Sequence, residues 1–168
     1  MELNIMDILK NEGVKKQFSF FETMQGNSIE FYGEKINIIK PVEIKGYAIN
    51  YEGKIRLDMN ISTEIERTCS RCLTYYYEKI DFDADYVFVK SLENSKEDAY
   101  LLKGDTISLD EIVIDEIASQ MTMKPLCKPD CKGLCPKCGK NKNIDECGCV
   151  LDEIDPRLQI LSSFLEKN

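Results

Sequence analysis

Alternation of apolar and polar residues is the strongest pattern along this chain, and it predicts two long strands. Residues 55–65 carry apolar side chains at most odd positions and polar or charged ones at even positions. Residues 76–88 repeat the alternation, with apolar side chains at most even positions. Each strand should therefore bury one face. The connection Cys69-Ser-Arg-Cys72-Leu73 is short enough to make the two strands a hairpin with the cysteine pair at its tip.

Weaker patterns predict more strands and two helices. Residues 42–51 should form a strand joined through Glu52-Gly53 to the strand at 55, and residues 18–21 and 36–39 are further strand candidates. Together they predict an antiparallel sheet that could curve into a barrel. The segment Ser108-Leu-Asp-Glu111 matches a capping box and predicts a helix to about Met121. Asp155-Pro156 starts a second amphipathic helix, with leucines at 158, 161 and 165.

The predicted fold class is α+β: an antiparallel sheet, two packed helices and a C-terminal zinc knuckle. With 168 residues, the chain is long enough for one domain with an appendage. We expect residues 1–126 to form the sheet and first helix, and residues 127–150 to form a cysteine-rich, zinc-binding segment. Residues 151–168 should form a helix that packs on the main domain.

Composition turns attention to the cysteines. The chain is 43% apolar and 31% charged, which is typical of a globular protein. Its N-terminus lacks the basic region of a secretory signal, and no apolar run approaches the length of a membrane span. We therefore expect a cytoplasmic protein without membrane contact. In that reducing compartment the eight cysteines are better interpreted as metal ligands than as disulfides.

Cysteine spacing predicts one or two zinc sites. Cys135-Pro-Lys-Cys138-Gly139 has the form of a zinc knuckle, and Cys147 and Cys149 could complete its ligand set, although Cys131 could replace either of these two. The remaining four thiols could form a second site, or else the CxxC pair could be reduced thiols at a turn. This second set consists of Cys69, Cys72, Cys127 and Cys131.

The expected zinc role is structural, and we expect no enzyme activity. A catalytic zinc keeps an open position and often uses histidine, whereas this chain has no histidine and enough thiolates to close its sites. The sequence also contains no phosphate-binding glycine loop or paired-carboxylate motif, and we expect no small-molecule substrate. A thiol redox or zinc-sensing function is an alternative, although the first CxxC does not open a helix as redox motifs do.

Charge is unevenly distributed along the chain. The net charge is −8, yet residues 124–143 contain six lysines and one aspartate. Nucleic-acid contact, if it occurs, should use this segment, with Lys132, Lys137 and Lys140 as the candidate residues. The acidic remainder is better suited to a basic protein partner.

The last third of the chain resembles the YceD family of large-subunit ribosomal RNA accumulation proteins. The resemblance lies in Pro125-Leu-Cys127, the segment from Cys131 to Asn141, Cys147-Gly-Cys149 and Asp155-Pro156-Arg157-Leu158, in that order and spacing. It extends over roughly residues 40–165. The resemblance implies a role in accumulation or maturation of large-subunit ribosomal RNA without a recognised enzymatic activity. With the acidic charge of the chain, this role leads us to expect a large-subunit precursor or a basic ribosomal protein as the partner, with direct ribosomal RNA contact as the alternative.

Overall fold

The computed structural model describes residues 1–23, 28–91 and 99–149, which form a mainly antiparallel sheet, a small second sheet and two helices. The strands are β1 (Glu2–Asn4), β2 (Lys15–Glu22), β3 (Ser28–Phe31), β4 (Glu34–Ile38), β5 (Val42–Tyr51), β6 (Lys54–Thr68), β7 (Tyr75–Val89), β8 (Tyr100–Leu101) and β9 (Thr106–Ser108). The helices are α1 (Met6–Leu9) and α2 (Asp110–Gln120).

The hairpin of β6 and β7 forms the centre of the larger sheet. Its antiparallel pairing runs from Ile55 opposite Phe88 to Thr68 opposite Tyr75, as the alternation predicts. On its other edge, β6 pairs first with β5 and then with β4, while β2 pairs with β5, β3 with β4, and β8 runs parallel to β7. The expected antiparallel sheet is confirmed. The described strands do not close into a barrel, because the outer strands β2, β3 and β8 each pair with one neighbour only.

Helix α2 covers the inner face of the sheet with the apolar side chains that the helical spacing predicts. Leu109, Val113, Ile117 and Met121 are all buried in the main core. The predicted capping box is wrong: the N-cap position is Leu109, and no side chain caps the helix. Ser108 instead pairs with Glu2 in the two-stranded sheet of β1 and β9, so its backbone follows the strand and the helix begins after it.

Arg67 ties the far end of β6 to the segment that follows α2. Its side chain is buried, and Nη2 donates to the carbonyl oxygen of Thr122 at 2.9 Å. Nη1 lies 3.5 Å from a carboxylate oxygen of Glu78, and the guanidinium lies 5.8 Å from the ring centroid of Phe31. These contacts hold the chain after α2 beside the hairpin tip, which we define as residues 69–74.

Two predictions fall outside the described residues. These are the helix at 151–168 and, with it, the division of the chain into 1–126, 127–150 and 151–168, which stays a prediction. No helix in the described part of the chain has the length and apolar character needed to cross a membrane.

Candidate metal centres

The eight cysteines lie in two groups of four, and each group could hold a metal ion. We call the first group centre 1 and the second centre 2. Within each centre the four Sγ atoms lie within 4.8 Å of one another. Centre 1 consists of Cys69, Cys72, Cys127 and Cys131; centre 2 consists of Cys135, Cys138, Cys147 and Cys149. These are the two sets named from the spacing, and Cys131 lies in centre 1.

Centre 1 has the dimensions of a tetrahedral thiolate site. The Sγ atoms of Cys69 and Cys131 are 3.7 Å apart, and those of Cys72 and Cys127 are 3.6 Å apart. A tetrahedral zinc with Zn–S bonds of about 2.3 Å places its sulfurs about 3.8 Å apart. The donor set therefore fits zinc in both chemistry and spacing.

Centre 1 is enclosed by the protein. Cys69, Cys72 and Cys131 are buried, and a small apolar cluster surrounds them that is separate from the main core. Its partly buried members are Tyr76, Leu126, Cys127 and Leu134. The hairpin tip brings in one cysteine pair, and the segment after α2 brings in the other, so the centre joins two distant parts of the chain.

Both CxxC pairs are held by the same backbone turn. In each, the N–H of the first cysteine, Cys69 or Cys135, donates to the carbonyl five residues further on, at 3.0 Å and 2.8 Å. The N–H four residues on, from Leu73 or Gly139, donates back to the carbonyl of that cysteine, at 2.9 Å and 2.8 Å. Leu73 and Gly139 both have positive φ, 57° and 73°. Sequence reasoning predicted a turn at the first pair but not its likeness to the knuckle at Cys135, because a leucine stands where glycine is expected.

The surroundings of centre 1 shift the pKa values of two of its thiols in opposite directions. Burial acts to raise the pKa of Cys69, but several backbone N–H groups hydrogen-bond its sulfur and together lower that pKa to about 6. Burial, followed by a hydrogen bond to the Cys72 sulfur, raises the pKa of Cys127 to about 12. One thiol thus ionises readily, while crowding opposes ionisation of another. A bound divalent cation would favour the thiolate form of all four.

Centre 2 shows the same pattern, with one cysteine pKa lowered and another raised. Hydrogen bonds from the backbone N–H groups of Cys138 and Lys137 lower the pKa of Cys135 to about 6. A hydrogen bond to the Cys138 sulfur, with burial as the next cause, raises the pKa of Cys149 to about 12. Unlike centre 1, this centre lies near the surface, since Cys138 is exposed.

The segment that carries centre 2, which we define as residues 133–149, docks on the hairpin tip through backbone and amide contacts. The N–H of Leu134 donates to the carbonyl of Arg71 at 3.1 Å, and Arg71 in turn donates from Nη1 to the carbonyl of Cys131 at 3.0 Å. Asn141 donates from Nδ2 to the hydroxyl of Thr74 at 3.1 Å. The two centres are therefore neighbours rather than independent modules.

Asn143 links the two centres directly, and the sequence analysis did not identify it. Its Oδ1 accepts from the backbone N–H of Lys132 at 2.9 Å, and its Nδ2 lies 3.4 Å from the Sγ of Cys131. An N–H···S contact of this kind orients a thiolate ligand. Position 143 lies outside every recognisable spacing motif, so only the folded backbone reveals it.

The three candidate lysines are all exposed on the cysteine-rich segment. They are Lys132, Lys137 and Lys140. None of them forms an ion pair with another residue in the ranges 1–23, 28–91 and 99–149. Their charges are thus available to a partner.

Residues 57–165 match the sequence profile of the family described as large ribosomal RNA subunit accumulation protein YceD. The chain belongs to the YceD family. All eight cysteines of this YceD-family chain fall within the matched region, so both centres belong to the part that defines the family. The resemblance stated from the cysteine spacing is confirmed.

Relatives of this YceD-family chain occur in bacteria and a plant. It is 29% identical over 158 residues to the uncharacterized protein YlbN of Bacillus subtilis, covering 92% of this chain and 91% of the relative. Over 102 residues it is 32% identical to the uncharacterized protein Rv2926c of Mycobacterium tuberculosis, covering 58% of this chain and 49% of the relative.

A plant relative carries a functional name. The chain is 24% identical over 158 residues to the Arabidopsis thaliana protein named large ribosomal RNA subunit accumulation protein YCED homolog 1, chloroplastic, covering 76% of this chain and 49% of the relative. This chain thus spans about half the length of the mycobacterial and plant relatives. No solved structure matches it.

Proposed function

We propose that this YceD-family protein is a non-enzymatic, cytoplasmic ribosome-biogenesis factor that supports accumulation or maturation of large-subunit ribosomal RNA. Family membership carries the proposal, supported by the name of the Arabidopsis relative. The function is tested by depleting the protein from cells and measuring large-subunit ribosomal RNA against small-subunit RNA. A selective loss of large-subunit RNA is expected, and an unchanged ratio would contradict the proposal.

We further propose that each centre binds one zinc ion in a structural role. Four thiolates complete a tetrahedral zinc site and leave no open position for a substrate or an activated water. The sulfur spacing in centre 1 and the repeated CxxC turns support this assignment. Bound zinc would act as a cross-link, because centre 1 joins cysteines 55 and 62 positions apart in sequence.

Metal analysis of protein purified without oxygen tests the zinc assignment. We expect about two zinc ions per chain from two closed tetrathiolate sites. A folded protein that contains no metal would contradict it. A metal-free protein with a reversible disulfide between Cys69 and Cys72 would instead support the thiol redox or zinc-sensing alternative.

The partner proposed for this factor is a large-subunit precursor, contacted through a basic ribosomal protein. The net charge of −8 supports this choice, since an acidic protein is repelled by bare RNA at long range and attracted to a basic protein. The alternative is direct RNA contact through the lysines of the cysteine-rich segment.

Charge reversal separates the two routes. The variant combines Lys132→Glu, Lys137→Glu and Lys140→Glu, and its co-sedimentation with large-subunit precursors is measured on gradients at several salt concentrations. A protein contact predicts association close to that of the wild type. Loss of association, together with a steep salt dependence in the wild type, would favour the RNA route.

A further inference from the structure

A groove with a mixed apolar and polar lining lies beside the hairpin tip, between three segments that are distant in sequence. It has a volume of about 260 Å³. Tyr32 comes from the turn between β3 and β4, Leu73 from the CxxC turn, and Met123 from the segment after α2. Cys69 of centre 1 also lines the groove.

The rim of this groove exposes more apolar surface than the fold requires. Tyr32 is 79% exposed, Met123 70% and Leu73 62%. Single exposed apolar residues are ordinary, but three large ones around one concave site, with polar residues at the edge, are typical of a protein-binding surface. Tyrosine and methionine are also enriched in the centres of protein interfaces.

Two of the three rim residues occupy strained backbone positions. Tyr32 has φ 48° and Leu73 has φ 57°, in the left-handed region that favours glycine and asparagine. Tyr32-Gly33 is the two-residue loop of the β3–β4 hairpin with both φ values positive, a turn for which Asn-Gly is the preferred sequence. Backbone conformation alone would favour asparagine or glycine at both positions, although the Tyr32 ring also makes an edge-to-face contact with Phe31, 4.8 Å between ring centroids.

The charge around the groove favours a cationic partner. Glu34 lines the groove and is exposed, whereas the charge of Arg67 is buried and lies 3.5 Å from Glu78. Zinc held by four thiolates would add a charge of about −2 next to Cys69. Lys124 follows Met123 in sequence but does not line the groove.

We propose that this groove binds a basic protein segment by enclosing one of its apolar side chains between Tyr32, Leu73 and Met123. The inference rests on the proposed function and deepens it, because it assigns the contact with a basic ribosomal protein to a defined surface. The apolar anchor supplies the binding energy, and flanking arginine or lysine residues face Glu34 and the thiolates of centre 1.

The strain at the rim permits an unusually clean test. A variant combining Tyr32→Asn and Leu73→Asn removes both apolar side chains and gives each position a residue that tolerates positive φ. Its unfolding temperature should rise by about 2 °C or more. Glu52→Asn is the matched control, because Glu52-Gly53 forms the same kind of turn, with φ 52° and 75°, between β5 and β6. It should also raise the unfolding temperature.

Binding is measured with zinc-loaded, full-length protein immobilised on resin. The probes are a defined RNA-free mixture of large-subunit ribosomal proteins and, in parallel, naked large-subunit ribosomal RNA. We expect the wild type and Glu52→Asn to retain at least one basic protein equally, and the double variant to retain it about tenfold less. Retention by the double variant equal to that of the wild type would overturn the docking site while leaving the proposed function intact.

The other outcomes identify other roles for these residues and also overturn the proposal. Weaker binding of RNA alone would assign the rim to RNA. A lowered unfolding temperature of the double variant would mean that the two side chains stabilise the fold by packing, as Tyr32 does against Phe31, and do not form a free rim. Self-association of the wild type that the variant loses would assign it to a second copy. If the wild type retains no ribosomal protein, both this inference and the proposed protein contact fail.

Discussion

Arg67 shows how one buried charge positions the candidate metal site. It is 2% exposed, and its contacts with Thr122 and Glu78 join β6 to the segment that carries Cys127. Arg67→Ala should lower the free energy of unfolding by about 3 kcal/mol, because it opens a cavity and leaves Glu78 without its cation. Urea unfolding of zinc-loaded protein measures the change.

A matched control for that substitution is Arg56, an exposed arginine that also forms an ion pair. Arg56 lies 3.1 Å from Asp58 and has a side chain 56% exposed. Since solvent screens such pairs, Arg56→Ala should change the free energy of unfolding by less than about 1 kcal/mol. If both substitutions lower the free energy of unfolding equally, buried Arg67 does not stabilise the fold more than an exposed arginine does.

Tyr86 gives the fold a dependence on alkaline pH. Burial, and then its hydrogen bond to the Glu116 carboxylate, raise its pKa above the ordinary value near 10. A folded-state pKa above the unfolded one means that the stabilisation is complete below pH 10 and falls as pH rises above it. Between pH 9 and 11.5, the unfolding temperature should therefore decrease less steeply with pH for Tyr86→Phe than for the wild type. Tyr51→Phe, at an exposed tyrosine, should follow the wild-type curve.

Gly133 lies where the segment that carries centre 2 packs against the hairpin tip. Its φ is +70°, and a Cβ there would lie 3.1 Å from the carbonyl oxygen of Arg71. Gly133→Ala should lower the free energy of unfolding by about 2 kcal/mol, from strain plus steric contact. Gly104→Ala is the control: φ there is +86° with no atom within 4 Å, so strain alone, about 1 kcal/mol, is expected. Urea unfolding measures both changes. If the two variants lose the same free energy of unfolding, the segment around Gly133 does not pack closely against the hairpin tip.

At the scale of elements, the sequence predicted the long strands, because a long strand shows a clear alternation of apolar and polar residues. The strand predicted at 42–51 is β5, and the alternations at 55–65 and 76–88 lie inside β6 and β7. Strands β1, β8 and β9 have two or three residues, too few to show a period. Ser108 misled because a capping box is a local signal, and pairing with β1 is a contact across the chain.

The candidate site divides in the same way. Cysteine spacing identified both groups, because ligand spacing is a local property of the sequence. The contact of Asn143 with Cys131 and the positive φ of Leu73 could not be predicted, since both depend on how the folded chain is arranged. A leucine with positive φ has no sequence signature, and it becomes informative only beside Tyr32 and the groove.

At the scale of the whole molecule, we expect the two centres to contribute unequally to the stability of the fold. Centre 1 connects the hairpin tip to a segment 55 to 62 residues later and is enclosed by its own apolar cluster. Centre 2 connects cysteines within residues 135–149 and has an exposed ligand candidate in Cys138. Closing a long loop removes more freedom from the unfolded chain, so metal at centre 1 should stabilise the sheet most.

Single cysteine substitutions in each centre test that inequality. Cys127 and Cys147 are both half-buried, which makes Cys127→Ser and Cys147→Ser a matched pair. If both centres bind zinc, each variant should lose about one ion by elemental analysis. Cys127→Ser should lower the unfolding temperature of the sheet by more than about 10 °C, because the cross-link between the hairpin tip and the segment after α2 is lost. Cys147→Ser should lower it by less than about 3 °C, since only the local segment is released. Equal shifts would mean that the sheet depends on both centres alike, and the long-range connection through centre 1 would then not explain the stability of the fold.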